Sequence, residues 1–347
     1  MKRCILTGRE YCAVTEDGVL VEYIRRDKDD RSGDILLGRV DRIMPGLNCA
    51  FVDIGRKKNG FLPLDEASSS FTGGKVRSGD MIMLQVRKEE HDDKGAYLTR
   101  DIALPGQYVI LMPMNRYIGV SNRIENADVR ERLKDCGRRT ANGRFGIILR
   151  LGSADAEEED IREEAEGAFL QWEQIVEQAG AGGKPGTVIY SSDETERLKK
   201  DYASRGIDEF REQAEPDPDI LKQLRSAGER RISLPAGGNI VIDRCEAMTV
   251  IDVNTSSDHG GEGKEQTILR TNLQACRVIA QQVRLRNLSG IILTDFIDME
   301  NDTDRGAVSS ELEACFRKDR IKTVIHGWTR LGLMEMTRKR IRRETTE

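Results

Sequence analysis

The sequence of 347 residues is poor in histidine and in long apolar runs, and each shortage excludes a class of protein. It has three histidines, none with a partner at ligand spacing, which argues against a hydrolase built on Ser, His and Asp. No apolar run approaches the roughly 20 residues of a membrane-spanning helix. Neither a GxGxxG nor a Walker pattern occurs, so no nucleotide-binding loop is predicted.

Paired cysteines are also lacking. The seven cysteines are scattered and never form a CxxC pair, which argues against a disulfide framework and against a zinc ribbon. The first residues, MKRCILTGREYCAV, contain no continuous apolar stretch of the signal-peptide kind. We therefore expect a cytoplasmic protein with free thiols and without a zinc site.

An excess of positive charge is missing as well. Lys and Arg number 55 against 60 Asp and Glu, which gives a net charge of −5. A nucleic-acid-binding protein of this composition has to gather its basic residues on one face, because the total charge does not indicate such a partner.

The order of the hydrophobic patterns predicts an α+β protein of several subdomains. Residues 34–104 contain five short β-type runs bounded by Gly, Pro, Asn or Asp, which predicts a small closed barrel of the OB type. Residues 1–33 read as strands, and 105–190 as mixed strands and helices. Residues 191–230 are polar and read as a helical connector broken at its prolines, Pro216 and Pro218.

Residues 231–347 carry the most regular pattern. Two strands, NIVIDRCE and AMTVIDVNT, form a predicted hairpin, and a glycine-rich loop, SSDHGGEGKE, leads to a helix over about Gln266–Asn287. The strand GIILTDFID follows, then a helix, the strand KTVIHGW and a basic tail, MEMTRKRIRR. The two strands separated by the long helix form a β–α–β unit.

Carboxylates stand at the ends of both strands of this unit. Functional groups gather beyond the carboxyl ends of such strands, where Asp252 and Asp295 are expected to lie side by side. Two facing carboxylates repel each other and favour a divalent cation, with Mg²⁺ or Mn²⁺ suiting all-oxygen ligands. Asn254, two residues after Asp252, would face the same way and fix a ligating carboxylate. The alternative is that these aspartates only cap turns.

The predicted barrel offers a second site. Phe51 and Phe61 fall on neighbouring strands, as expected of a face that stacks the bases of single-stranded nucleic acid. The alternative is that both rings belong to the barrel core and that the surrounding basic residues are merely solvated. These basic residues are Arg39, Arg42, Arg56, Lys57, Lys58, Arg87, Lys88 and Lys94.

Several strings make the sequence resemble the ribonuclease E/G family. GRVDRIMPGLNCAFVDIGRKKNGFLPLDE resembles the S1 domain of that family. RRISLPAGGNIVIDRCEAMTVIDVNT and TNLQACRVIAQQVRLRNLSGIILTDFIDM resemble its DNase I-like catalytic subdomain, and LGLMEMTRKR resembles the end of that subdomain. The resemblance implies an S1 (OB-fold) domain over 34–104, a 5′-sensor-like region over 105–190 and a catalytic subdomain over 231–347. It implies that 1–33 and 191–230 are remnants of an RNase H-like subdomain.

The resemblance also implies an activity and roles for single residues. It implies a Mg²⁺-dependent endoribonuclease that cuts single-stranded RNA to 5′-phosphate and 3′-hydroxyl ends, in mRNA decay and in rRNA and tRNA maturation. Asp252 and Asp295 match the two metal ligands, and Asn254 matches the residue that supports the metal and the attacked phosphate. The residues matching RNA contacts are Phe51 and Phe61 for base trapping, Lys94 as a basic contact, and Arg150 in the 5′-monophosphate pocket.

Three departures from the family pattern are visible. Leu151 stands where the family has a threonine in the phosphate pocket, and 191–230 is shorter than the RNase H-like subdomain. The sequence ends at RKRIRRETTE, where the family places its CPxC zinc-link, so we expect no zinc-bridged dimer; other homo-oligomers stay open. The alternative function is a non-catalytic S1-type RNA-binding protein.

Overall fold

A computed structural model describes residues 2–26, 30–64, 75–90, 94–203, 206–235, 237–255 and 263–340. It has two compact units: Asp27–Gly206, and Met1–Arg26 together with Ile207–Glu347. Most of the predicted loops SSDHGGEGKE and SSSFTGGKVRSGD lies outside the described residues, as do His91 and His259. The assignment of chain segments to subdomains of the family stays a prediction.

The unit of residues 27–206 contains the predicted closed barrel. The first two strands of the barrel end at turns that contain Gly and Asn. The order is β4-β5-β6-β8-β7, and β4 also pairs with β7, which closes five strands into a barrel as an OB-type fold requires. Its strands are β4 (Ile35–Met44), β5 (Cys49–Asp53), β6 (Gly60–Pro63), β7 (Met81–Lys88) and β8 (Tyr97–Thr99).

Alternate residues of these strands fill the barrel interior, as period-two side-chain alternation requires. The fully buried members include Leu36, Val52, Leu62, Leu84 and Leu98. Gly60 is needed here, because a Cβ at this position would lie 2.4 Å from Cδ1 of Leu98. The expectation of a small closed barrel is confirmed.

The same unit carries a second sheet with helices, in the order β11-β12-β10-β9. Asn126 begins the helix α1 by accepting hydrogen bonds from two backbone N–H groups of its first turn. The predicted strand RFGIILRLGS ends at Leu149, and a 3-10 turn over Leu151–Ser153 replaces its last residues. The elements are β9 (Leu104–Pro105), β10 (Val109–Met112), β11 (Ile118–Val120), α1 (Ala127–Ala141), β12 (Gly146–Leu149), α2 (Glu158–Gly180), β13 (Val188–Tyr190, paired with β4) and α3 (Glu194–Ala203).

In the other unit, the chain's first strands form a sheet with a strand from far along the sequence. The order is β14-β1-β2-β3, and β14 runs parallel to β1. The prediction of a helical connector over 191–230 was therefore wrong for part of its length, because β14 is a strand whose paired residues in β1 are 205 positions earlier in the chain. Pro218 begins a helix rather than breaking one, as its fixed φ allows at a first helical position. The elements are β1 (Arg3–Thr7), β2 (Tyr11–Glu16), β3 (Val19–Arg25), β14 (Glu209–Glu212) and α4 (Pro218–Ser226).

The larger sheet of this unit has six strands in the order β15-β16-β17-β18-β20-β19. Only β17 and β18 are parallel, and the apolar faces of α5 and α6 pack against one face of the sheet. The elements are β15 (Arg231–Ser233), β16 (Asn239–Arg244), β17 (Met248–Asn254), α5 (Lys264–Leu285), β18 (Gly290–Asp295), α6 (Asp302–Arg317), β19 (Thr323–Trp328) and β20 (Met334–Arg338).

The prediction of a basic tail over MEMTRKRIRR is partly wrong. Met334–Arg338 is a strand between β18 and β19, with Met334, Met336 and Arg338 buried. Arg338 can be buried because Nε donates to Oδ2 of Asp319 at 2.7 Å and Nη1 to Oδ1 of Asn287 at 2.9 Å. A buried cation with matched partners is tolerated, whereas an unpaired one is not.

Candidate active site

Two carboxylates face each other at one edge of the six-stranded sheet. Asp252 and Asp295 are paired in the parallel register of β17 and β18, on strands about 4.8 Å apart. Helix α5 connects these strands and brings their carboxyl ends to the same edge. Both aspartates are exposed on the face opposite the helices. The structure thus brings together the two residues that the sequence places at the strand ends.

The charges around Asp295 are unbalanced. Desolvation by the surrounding protein raises the pKa of the Asp295 carboxyl above its ordinary value, and the negative charges of Asp252 and Asp298 raise it further. An excess of negative charge at one edge of a sheet is stabilised by a cation. Glu300 lies exposed on the loop before α6.

Asn254 lies next to Asp252, as the alternation of strand side chains predicts. Its Nδ2 donates a hydrogen bond to Oδ2 of Asp252 at 2.7 Å. This contact holds one carboxylate oxygen in a fixed direction and leaves the other oxygen available to a ligand.

Asn272 is a structural support that sequence reasoning missed. This fully buried side chain on α5 donates from Nδ2 to the carbonyl oxygen of Ile297 at 2.8 Å and accepts from the N–H of Ile297 at 3.1 Å. Phe296, directly after Asp295, packs on Trp328 with ring centroids 5.7 Å apart. The backbone that follows Asp295 is therefore held from two sides. An asparagine inside the apolar stripe of a predicted helix was the available signal.

The predicted base-stacking residues lie on the outer face of the barrel. Phe51 and Phe61 are directly paired across β5 and β6, with ring centroids 6.2 Å apart and an edge-to-face angle of 76°. Both rings are half-buried, and the barrel interior is filled by other residues. The reading of these rings as barrel core is therefore wrong. Lys94 is exposed, three residues before Tyr97.

Arg150 is engaged by a carboxylate of its own unit. Its Nη2 donates to Oδ1 of Asp201 at 2.5 Å, and its Nη1 donates to the carbonyl oxygen of Gly106. Leu151 follows in a 3-10 turn. The guanidinium is thus neutralised within the protein.

The described residues hold no group of three or more His, Cys, Asp or Glu side chains arranged to bind a metal ion. The same part of the chain has no helix that is both long and apolar enough to cross a membrane. Among the described residues, the candidate cation site therefore consists of the two carboxylates of Asp252 and Asp295.

The chain is similar in sequence to known ribonucleases of several bacteria. The sequence profile of the Ribonuclease E/G family matches residues 103–216 and 212–341. Ribonuclease G of Salmonella typhimurium is 35% identical over 380 residues, covering 94% of this chain and 77% of that protein. Ribonuclease G of Haemophilus influenzae is 34% identical, covering 95% of this chain and 77% of that protein. Ribonuclease E of a Synechocystis strain is 31% identical, and the alignment covers 97% of this chain and 56% of that protein.

These matches identify the chain as an endoribonuclease. More particularly, the chain belongs to the ribonuclease E/G family.

Proposed function

We propose that this protein is a divalent-cation-dependent endoribonuclease that hydrolyses single-stranded RNA within the chain, leaving 5′-phosphate and 3′-hydroxyl ends. The observation that carries the proposal is the register pairing of Asp252 with Asp295, together with the hydrogen bond from Asn254 to Asp252.

The donor set fits Mg²⁺. This ion keeps several water molecules and binds through one or two carboxylates plus substrate phosphate oxygens, so two facing aspartates suffice. Mn²⁺ is the alternative, because it accepts the same oxygen ligands. When bound, the cation would offset charge on the attacked phosphate and help to activate water.

The residues of this chain then have distinct tasks. Asp252 and Asp295 hold the cation, and Asn254 keeps Asp252 in one orientation. Phe51 and Phe61 stack bases, which is a sequence-tolerant contact, so we expect only a modest base preference. Lys94 would contact the RNA backbone, and such positioning of the strand lowers the barrier to reaction.

The substrates that we propose are precursors of rRNA and tRNA, and mRNA in decay. RNAs of these kinds are found in the cytoplasm, which is therefore the proposed compartment.

Cleavage of an unstructured RNA labelled at its 3′ end tests this function. We expect internal cuts in Mg²⁺ and none in EDTA, with product ends that a ligase requiring a 5′-phosphate accepts. RNA that is bound but not cut in Mg²⁺ would instead favour the S1-type RNA-binding protein.

We propose that Arg150 can contact the 5′-phosphate of the RNA, and that its hydrogen bond to Asp201 weakens this contact. We expect the wild-type protein to cut 5′-monophosphorylated and 5′-hydroxyl RNA at similar rates, because the guanidinium already has a carboxylate partner. Asp201→Asn removes that charge, so the preference for the monophosphate should rise about three- to tenfold.

The ratio of the two cleavage rates measures this preference. Arg150→Lys should leave the ratio near one in both backgrounds, because lysine lacks the bidentate fork. A strong monophosphate preference in the wild-type protein would contradict the proposed suppression.

A further inference from the structure

Five side chains form a continuous row across five strands of the barrel. Arg42 of β4 is paired with Phe51, Phe61 is paired with both Phe51 and Tyr97, and Tyr97 is paired with Lys88 of β7. We call these five residues the barrel row. With neighbouring strands about 4.8 Å apart, the barrel row is about 19 Å long.

Neighbouring members of the barrel row are in contact distance. The guanidinium of Arg42 lies 5.6 Å from the ring centroid of Phe51, and Phe51 and Phe61 are 6.2 Å apart. The rings of Phe61 and Tyr97 are 5.8 Å apart, and Nζ of Lys88 is 5.9 Å from the Tyr97 centroid. These distances are within the range of aromatic pairs and cation–π contacts.

Bulges place the two cations at the ends of the barrel row. Between Val40 and Arg42 the register with β5 shifts by one residue, so that Arg42 rather than Asp41 faces Phe51. The register of β7 with β8 shifts in the same way between Val86 and Lys88, so that Lys88 rather than Arg87 faces Tyr97. Bulges re-aim side chains in this way and are frequent beside binding sites. Because of the bulge in β4, the residue that faces Phe51 is the positively charged Arg42 and not the negatively charged Asp41.

The three rings of the barrel row are exposed to solvent to a similar degree. Phe51, Phe61 and Tyr97 are all half-buried, while Arg42 and Lys88 are exposed. A row of rings with a cation at each end fits single-stranded RNA, because rings stack bases and cations contact the phosphates of the backbone.

We propose that Tyr97 and Lys88 form an additional subsite of this face, at which Tyr97 stacks a third base and Lys88 contacts the adjoining phosphate. The inference rests on the proposed function, which assigns base stacking only to Phe51 and Phe61. It extends the RNA footprint by one nucleotide toward β7.

Binding of fluorescein-labelled oligouridylates of three to eight nucleotides to the full chain in EDTA tests the subsite. Tyr97→Ala should raise the Kd of the octamer about ten- to a hundredfold, the range that loss of one base–aromatic stack produces. Tyr97→Phe and Tyr97→Trp should bind within about twofold of the wild type, because the ring and not the hydroxyl stacks the base. These two variants also keep the test valid if Tyr97→Ala does not fold.

Two further variants separate stacking from general effects. Phe210→Ala removes a ring that is 37% exposed on β14 of the other unit and should not change the Kd. Lys88→Ala should reduce the slope of log Kd against log salt by about 0.7, as loss of one phosphate contact on a single strand does.

The outcomes distinguish this inference from the proposed function. Weak binding by Phe61→Ala with wild-type binding by Tyr97→Ala overturns the additional subsite and leaves the proposed RNA face standing. Wild-type binding by both variants overturns the RNA face itself, and the subsite with it. Equal weakening by Tyr97→Ala and Tyr97→Phe assigns the effect to the hydroxyl group and also overturns the stacking role.

Discussion

Replacing Asp295 with asparagine should slow the cleavage of single-stranded RNA about a thousandfold or more, since several kcal/mol of transition-state stabilisation depend on a bound cation. The variant keeps the size of the side chain but removes one of two facing charges at the sheet edge. Single-turnover rates at saturating Mg²⁺ measure the effect. RNA binding in EDTA should be as tight as in the wild type, or slightly tighter, because a charge that repels phosphate is gone.

Asp298→Asn is the matched control. Asp298 is an exposed carboxylate three residues away that adds to the negative charge felt by Asp295 but lies beyond the end of β18. Its loss should change the rate by less than about tenfold. A rate in Asp295→Asn that equals the Asp298→Asn rate would mean that Asp295 acts only through the overall charge and holds no cation. Asp252→Asn should match Asp295→Asn, and the double variant should be little slower than either, because the residues act as one unit.

The sequence was sufficient to predict the carboxylate pair, and the reason is topological. A strand, a helix and a parallel strand bring both carboxyl ends to one sheet edge, so Asp252 and Asp295 meet whatever the rest of the fold does. The hydrogen bond from Asn254 follows from the period of two along a strand. The barrel was predictable for a similar reason, since five short strands at close spacing have few ways to pair.

Contacts between distant parts of the chain were not predictable. Arg338 reads as part of a basic tail, and only the position of β20 between β18 and β19 shows that it is buried against Asp319. The partner of Arg150 is 51 residues further along, in a polar segment without clear periodicity. Tyr97 joins the two phenylalanines only through the parallel pairing of β6 with β8 and was therefore missed.

Disrupting a buried ion network in the unit that contains β1–β3 should have the largest effect on the stability of the protein. Glu16 at the end of β2 accepts hydrogen bonds from Arg3 on β1 and from Arg284 at the end of α5, at 3.0–3.3 Å. The two arginine side chains are only 4% and 6% exposed. Glu16→Gln removes the negative charge that both buried arginines share, so the free energy of unfolding should fall by about 3–5 kcal/mol. Urea unfolding at pH 7 measures the difference.

Glu209→Gln is the control that separates buried from exposed ion pairs. Hydrogen bonds from Arg211 and Lys2 lower the pKa of Glu209 to about 2. Glu209 is only half-buried, however, and both of its partners are exposed, so we expect little change in stability. A loss as large as that of Glu16→Gln would show that burial is not what makes the Glu16 network important.

The dependence on pH gives a second, independent measure of the Glu16 network. Burial alone would raise the pKa of Glu16, but the hydrogen bonds and charges of Arg284 and Arg3 outweigh it and hold the pKa below 4.5. The stabilisation from an ionised Glu16 is therefore complete above about pH 4.5 and is lost as the pH falls through the lowered value. The wild-type protein should lose stability in that range more steeply than Glu16→Gln. If the free energy of unfolding falls equally steeply with pH in both proteins, the two arginines do not depend on the charge of Glu16. The hydrogen bonds alone would then hold α5 against the sheet of β1–β3 and β14.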